Sequence, residues 1–321
     1  MSESRISILS QLFAPKPLWT SKDVPDQTNR TVLITGGNRG IGGEIARVLL
    51  SKNARVYIAA RDENRAQKTI QELKEETGKQ SIFFLKLDLA DLPSVKAAVE
   101  EFTSKETKLH TLYNNAALLF PPVEVLTKQG YDGQFGTTVL GHFYLTKLLL
   151  PTLIASAEDS LPGAVRVVTT SSIAHNIGIP PSGMHWDTLG PNADVGRRKE
   201  VGTMKLYSQS KLGNILITNE LARRVSDKNI VAISLHPGNI YSSPQEWNWG
   251  IVKRIVLGFF FYDIAYGLIT PLYAGTAPAA AELNGKYVTT WARVSLPSEK
   301  ALDVELQKKL WDWCEDQVRD L

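Results

Sequence analysis

TVLITGGNRGIG, residues 31–42, is an apolar run that ends in a cluster of four glycines and one arginine. The run TVLIT predicts a buried strand, and the residues from Ile41 onward predict a helix. Glycine tolerates a positive φ and lets backbone N–H groups approach a ligand. The N-terminus of a helix attracts phosphate through its partial positive charge. The stretch therefore predicts a strand, a pyrophosphate-binding loop and a helix, in that order.

The alternation of strand and helix continues along the chain. Strands are predicted at 31–35, 55–60, 81–87, 109–113, 164–170, 230–236 and 286–290, and helices at 41–52, 62–77, 93–105, 131–155 and 203–225. Such alternation predicts parallel strands joined by right-handed crossovers, with helices on both faces of the sheet. We therefore predict an α/β fold with a doubly wound parallel sheet of the Rossmann type. One domain over 28–321 would follow an N-terminal arm over 1–27, with lid or insertion segments at about 173–202 and 239–275.

Composition excludes several classes of function. The chain has 321 residues, 43% of them apolar, and a formal net charge of +3. This charge is too small and too evenly spread to predict a nucleic-acid partner. Cys314 is the only cysteine, so no disulfide forms within the chain and the cytoplasm is the expected location. The spacing of His175, His185 and Cys314 gives no metal signature, and we predict no metal site.

An aromatic segment follows Pro237 and contains Trp247, Trp249 and Phe259–Phe261. Its apolar run, IVLGFFFY, is too short to cross a bilayer, and we predict no transmembrane segment. The segment is consistent with an aromatic-lined substrate pocket, or equally with core packing or a subunit interface in a homo-oligomer. In a third interpretation Lys253 and Arg254 meet lipid headgroups, and the protein contacts a membrane surface peripherally.

Tyr207 and Lys211 form a candidate proton-transfer pair. At positions i and i+4 of a predicted helix they project from the same face, one turn apart. A phenol is a poor base at neutral pH, but a neighbouring cation and an oxidised nicotinamide would both lower its pKa. We therefore expect the pKa of Tyr207 to be lowered. A surface Tyr-Lys pair is the alternative if the glycine loop binds no nucleotide.

Several motifs together resemble the short-chain dehydrogenases/reductases. TGGNRGIG matches the family's T-G-x-x-x-G-I-G loop, and Tyr207 to Lys211 matches Y-x-x-x-K. Between them lie NNAA at 114–117, resembling the family's N-N-A-G, and Ser171-Ser172 after the fifth strand. The resemblance covers roughly residues 28 to 320 and extends to the branch of retinol dehydrogenases and WW-domain oxidoreductases, although no WW domain is present. It implies an oxidoreductase with Ser172, Tyr207 and Lys211 as catalytic residues.

The resemblance also implies a dinucleotide site and a substrate class. The cofactor-binding positions carried over are Gly36, Asn38, Arg39, Gly40, Ile41, Gly42, Arg61, Asp88, Leu89, Asn115, Ala116, Tyr207, Lys211, Pro237, Gly238, Ile240 and Ser242. Ala60 and Arg61 stand at the end of the second strand, where an acidic residue would favour NAD. Arg39 and Arg61 favour a 2′-phosphate and hence NADP(H), whereas Asp62 could simply cap the next helix. The related branch implies a hydrophobic ketone, aldehyde or secondary alcohol as substrate.

One departure from the family pattern leaves a second function open. Thr138 stands where the family often has an asparagine that anchors a water, and it lacks a carboxamide. The first hypothesis is an NADP(H)-dependent oxidoreductase in which Tyr207 exchanges the proton. The alternative is a catalytically weakened nucleotide-sensing or scaffold protein with the same fold.

Overall fold

The computed structural model describes residues 4–191, 193–240 and 262–321. Its strands are β1 Thr31–Thr35, β2 Arg55–Ala60, β3 Ile82–Lys86, β4 Thr111–Asn114, β5 Val165–Thr170, β6 Ile230–Leu235, β7 Tyr287–Thr289 and β8 Arg293–Ser295. Within the described residues they form one sheet in the order β3-β2-β1-β4-β5-β6-β7-β8. Every neighbouring pair is parallel except β7 and β8. The predicted Rossmann-type fold is confirmed.

The site is positioned by the point where the strand order reverses. The chain moves outward from β1 to β2 and β3, and then returns to the other side of β1 with β4. The loops after β1 and β4 therefore leave in opposite directions and open a crevice at the carboxyl ends of these two strands. The antiparallel β8 is not predicted by the sequence, because a three-residue strand is too short to show a period.

The helices lie on both faces of the sheet. They are α1 Ile8–Leu12, α2 Gly40–Ser51, α3 Glu63–Thr77, α4 Leu92–Lys105, α5 Gly133–Phe135, α6 Gly141–Glu158, α7 Val195–Val201, α8 Thr203–Arg224, α9 Ile264–Gly267, α10 Ile269–Thr276, α11 Glu299–Leu302 and α12 Val304–Gln317. A π-helical turn over Gly136–Leu140 joins α5 to α6. The predicted helix at 131–155 is therefore one continuous element with a widened turn.

Two hydrophobic cores follow from the two faces of each strand. In β1, Leu33 belongs to the core shared with α4, α6, α8 and α12. Its neighbours Val32 and Ile34 belong to the core shared with α2, α3 and α10. Successive residues of a strand point to opposite faces, so a sheet covered on both sides buries every residue of its central strands. All five residues of β1 are buried accordingly.

The element from Gly133 to Glu158 is long and apolar enough to cross a membrane by length and composition alone. In this fold, 61% of its most apolar 18-residue window is buried. Leu145, Leu149 and Leu153 of α6 are fully buried in the core shared with α4 and α8. Its apolar character is therefore explained by packing against the sheet.

The N-terminal residues pack against the last two strands. The Gln11 side chain accepts a hydrogen bond from Thr289 Oγ1 at 2.7 Å, and its carbonyl accepts one from Thr290 Oγ1 at 3.0 Å. Arg293 of β8 donates to the carbonyl oxygen of Ser10 at 2.7 Å. These bonds hold α1 against the β8 end of the sheet.

Candidate active site

The loop after β1 approaches its neighbours too closely for residues that carry a Cβ. Gly36 has a φ of +67°, and a Cβ there would lie 3.2 Å from Ala116 Cβ. A Cβ on Gly42 would lie 2.5 Å from the carbonyl oxygen of Gly36. The helix α2 begins at Gly40, and the side chain of the preceding Arg39 makes no capping hydrogen bond to it. Backbone N–H groups at the start of α2 are thus left to bind an anion such as a pyrophosphate.

Thr35, the last residue of β1, fixes the loop after β4 beside the glycine loop. Thr35 Oγ1 accepts hydrogen bonds from the N–H groups of Asn115 and Ala116, both at 2.9 Å. Asn115 Nδ2 donates to the carbonyl oxygen of Thr35 at 3.0 Å. His142 Nε2 lies 2.8 Å from Thr35 Oγ1, and burial lowers the pKa of His142 to about 4, so this imidazole is neutral. The crevice between β1 and β4 therefore has a rigid, uncharged floor.

The end of β2 carries positive charge. Ala60 ends the strand and Arg61 follows it, exposed. Asp62 accepts a hydrogen bond from the N–H of Arg65 at 3.0 Å, so its carboxylate caps α3. Lys86, which pairs with Ala60 across the sheet, donates to the carbonyl oxygen of Arg61 at 2.6 Å. Sequence reasoning missed Lys86, whose only signal is its place at the end of the strand beside β2.

Ser172, Tyr207 and Lys211 come together at the carboxyl end of β5. Ser172 begins a short 3-10 turn, where its hydroxyl accepts from the N–H of Ala174 at 3.2 Å. The Ser172 side chain lies near enough to the Tyr207 phenol to act on its pKa, in the lowering direction. Lys211 Nζ lies 5.7 Å from the centre of the Tyr207 ring. The two residues of α8 therefore share a face, as their spacing predicts, and that face meets the end of the strand.

Lys211 is anchored from two sides. Its ammonium donates to the carbonyl oxygen of Thr170 at 3.1 Å, and Asn214 Nδ2 donates to the same oxygen at 2.9 Å. The hydroxyl of Ser171 donates to the carbonyl oxygen of Lys211 at 2.7 Å. Neither Asn214 nor this serine contact was predicted, although Asn214 lies one turn after Lys211 on the same helix. These hydrogen bonds hold the carboxyl end of β5 against the middle of α8.

Burial controls the charge of both α8 residues. It raises the pKa of Tyr207, and only the Ser172 side chain acts in the lowering direction. It lowers the pKa of Lys211 to about 8. In the chain alone burial thus raises the Tyr207 pKa, because removing the phenol from water disfavours the phenolate. Tyr207 holds its proton firmly at neutral pH. The expected lowering, which includes the effect of an oxidised nicotinamide, stays a prediction for the cofactor complex.

Thr138 lies in the π-helical turn and is fully buried. Its carbonyl oxygen is 2.9 Å from His142 Nδ1. Its hydroxyl has no hydrogen-bond partner among the residues that the structure describes. The hydroxyl thus leaves hydrogen-bonding capacity unused in the core.

Two pairs of the remaining predicted cofactor positions follow β3 and β6. Asp88 accepts from the N–H of Ala90 at 3.0 Å, and Leu89 beside it is buried. Gly238, after Pro237, has a φ of +101°, and a Cβ there would meet the Trp291 ring at 2.6 Å.

The structure also places Ile240, Asn38 and Ile41. A Cβ on Gly267 would lie 2.7 Å from Ile240 and 3.2 Å from Ile41, so both isoleucine side chains pack against α9 at Gly267. The carbonyl oxygen of Asn38 accepts from Thr69 Oγ1 at 3.1 Å. Ser242 and the aromatic residues 247–261 lie outside the described residues.

Comparison with known proteins identifies the family of the chain. Residues 30–183 match the family model described as short chain dehydrogenase. A short-chain dehydrogenase/reductase of Armillaria gallica is 46% identical over 314 residues, which cover 98% of each chain. Retinol dehydrogenase 12 of Mus musculus is 34% identical over 306 residues, covering 95% of this chain and 90% of its own.

A solved structure shares the fold at lower identity. The Pseudomonas aeruginosa RhlG/NADP active-site complex has a TM-score of 0.63 and 22% identity, and the match covers 85% of this chain and 97% of that one. The resemblance inferred from the motifs is confirmed by the relatives that match nearly the whole chain. This protein belongs to the short-chain dehydrogenase/reductase family of oxidoreductases.

Proposed function

We propose that the protein is an NADP(H)-dependent oxidoreductase that interconverts hydrophobic ketones or aldehydes and their alcohols. The observation that carries this proposal is the meeting of Ser172, Tyr207 and Lys211 beside a glycine loop that has no room for side chains. A hydroxyl, a phenol and an ammonium at one strand end can hold a substrate oxygen and exchange a proton with it.

The glycine loop and its surroundings fit a dinucleotide. The uncapped start of α2 would hold the pyrophosphate, and Arg61 with Lys86 would favour a 2′-phosphate at the end of β2. The choice of NADP(H) rests on these two cations, because solved structures of this fold include complexes with NADP and with NADH. The nicotinamide of such a cofactor would supply or accept the hydride.

The chain's own residues would perform the proton chemistry. Ser172 and Tyr207 would both hydrogen-bond the substrate oxygen, since their side chains already meet. Burial keeps Tyr207 protonated at neutral pH, which suits it to donate a proton to an oxygen that gains negative charge during reduction. Lys211, held on the Thr170 carbonyl, would supply positive charge beneath the phenol.

Loss of the Tyr207 hydroxyl tests the proposal. NADPH consumption should be measured against a panel of hydrophobic ketones and aldehydes for the parent protein, Tyr207→Phe and the control Tyr144→Phe. Tyr144 is a buried tyrosine on α6 whose hydroxyl lacks a partner within the described chain. We expect Tyr207→Phe to lose more than about 100-fold in turnover and Tyr144→Phe to stay near the parent.

The same experiment addresses the nucleotide-sensing alternative. Tight NADPH binding by the parent without turnover of any carbonyl would favour a sensor or scaffold over an enzyme. Equal turnover by the parent and Tyr207→Phe would contradict the assigned role of Tyr207.

A further inference from the structure

The loop after β4 holds an aromatic residue in a backbone conformation that aromatic residues seldom adopt. Phe120 has a φ of +48°, in the left-handed region that favours glycine. Phe120 is 39% exposed, and the residue before it, Leu119, is 43% exposed. A strained and exposed phenylalanine contributes little to the stability of the core. Its conformation therefore points to a role at the surface of the site.

A buried glutamine fixes Phe120 relative to the catalytic helix. The N–H of Phe120 donates to Gln134 Oε1 at 3.3 Å, and Gln134 Nε2 donates to the carbonyl oxygen of Thr203 at 3.2 Å. Gln134 is 1% exposed, and Thr203 is the first residue of α8. One side chain therefore links the loop after β4 to the helix that carries Tyr207, and its bond to Thr203 spans 69 positions of sequence.

The result of this link is a contact between two rings. The centroids of Phe120 and Tyr207 are 4.7 Å apart, and the ring planes are tilted by 49°. The Phe120 ring thus forms a wall directly beside the phenol, whose hydroxyl meets Ser172. The two rings are in direct contact, so the Phe120 side chain lies next to any group bound at the phenol.

Other exposed apolar side chains belong to α8 or to a segment that contacts it. Met204 is 51% exposed and lies three residues before Tyr207, on the same side of α8. Ile177 is 47% exposed, and the next residue, Gly178, approaches the Lys205 side chain of α8. Exposed apolar side chains therefore come from α8 itself and from two segments that contact it. Exposed apolar patches of this kind mark binding surfaces.

We propose that Phe120 is a specificity-determining residue that selects carbonyl substrates whose C=O is attached directly to a flat, conjugated ring. A carbonyl oxygen placed at Ser172 and Tyr207 puts such a ring one bond away, within reach of the Phe120 face. Two aromatic rings attract each other beyond the burial of apolar area, which a saturated ring of equal size cannot match. The inference rests on the proposed oxidoreductase function and adds the substrate class.

The test compares two ketones of the same carbon skeleton, acetophenone and cyclohexyl methyl ketone. Values of kcat and KM are measured with NADPH for the parent, Phe120→Leu, Phe120→Met and Phe120→Tyr. Leucine and methionine keep the apolar wall without a ring, and tyrosine restores the ring. The ratio of kcat/KM for the aryl ketone to that for the saturated ketone is compared between proteins, which cancels the intrinsic reactivity of each ketone.

We expect this ratio to fall about 3- to 10-fold in Phe120→Leu and Phe120→Met, and to stay near the parent value in Phe120→Tyr. The fall should lie in KM for acetophenone, with kcat for the saturated ketone within about threefold of the parent. A rise in KM without a change in kcat indicates that the lost contact stabilises the bound substrate and the transition state equally.

Two results would overturn the inference. Turnover that depends on Tyr207 together with an unchanged ratio in all four proteins would refute the role of Phe120 and leave the proposed function standing. Failure of the parent to reduce either these ketones or any carbonyl of the wider panel would refute both together.

Discussion

Replacing Lys211 with methionine separates the proposed catalytic use of its ammonium from the cost of burying it. Lys211 is 2% exposed, and burial lowers the pKa of its ammonium from 10.5 to about 8. That shift corresponds to about 3 kcal/mol of unfolding free energy. Methionine is similar in length and uncharged. The Thr170 carbonyl keeps its hydrogen bond from Asn214, so the substitution leaves no backbone oxygen unpaired.

The sign of the pH dependence follows from the direction of the shift. Below pH about 8 Lys211 is charged in both the folded and the unfolded chain, so the full cost of burial is present. Between pH about 8 and 10.5 the folded protein releases this proton while the unfolded chain keeps it, and the parent gains stability as pH rises. Above 10.5 both states are neutral and the cost disappears.

We therefore expect Lys211→Met to exceed the parent by about 3 kcal/mol in unfolding free energy at pH 7, with the difference shrinking toward pH 10. Urea unfolding followed by circular dichroism at pH 7, 8, 9 and 10 measures it. Because all other titrating groups are common to both proteins, the difference isolates Lys211. Carbonyl reduction should fall about 100-fold or more.

Lys205→Met is the matched control, because Lys205 is exposed on the same helix and its loss should change stability by less than about 0.5 kcal/mol. A Lys211→Met protein that is less stable than the parent at pH 7 would refute the reasoning. So would a gain in stability that is the same at pH 7 and pH 10.

Three further substitutions probe the cofactor crevice and the core beneath it. Gly42→Ala should lose about 1–3 kcal/mol of stability and most NADPH affinity, because its Cβ would lie 2.5 Å from the Gly36 carbonyl oxygen. Gly43→Ala, whose Cβ would meet nothing closer than 3.6 Å, should match the parent in urea unfolding and NADPH titration. Arg61→Ala should reduce the preference for NADPH over NADH about 10-fold or more by steady-state kinetics, whereas Arg65→Ala, on α3, should not; equal preferences in both variants would exclude Arg61 as a phosphate ligand. Thr138→Val should raise the unfolding free energy by about 1 kcal/mol, because it removes a buried hydroxyl without a partner in the described chain, and a loss of stability would indicate an unseen partner.

The order of strands and helices and the positions of the motifs follow from local patterns in the sequence. The apolar run at 31–35 and the glycines after it predict β1, the loop and the start of α2, and the structure has all three. Tyr207 and Lys211 share a face because an α-helix places residues i and i+4 one above the other. Such features need only the chain's own backbone geometry, so the sequence can predict them.

The electrostatics of the site could not be predicted in this way. The helix spacing suggests that Lys211 lowers the pKa of Tyr207, but burial raises it. How far a group is removed from water depends on every element packed around it. A pattern of neighbours along one helix contains no such information.

Short-range periods and backbone conformations suffice to predict the doubly wound sheet, the glycine loop at its switch point and the spacing of the candidate catalytic residues. Tertiary structure alone decided that Gln134 links the loop of Phe120 to the start of α8, that Lys86 joins Arg61, and that Asn214 supports the carbonyl bound by Lys211. Each of these contacts joins side chains through space from elements whose relative placement is set by packing of the whole core.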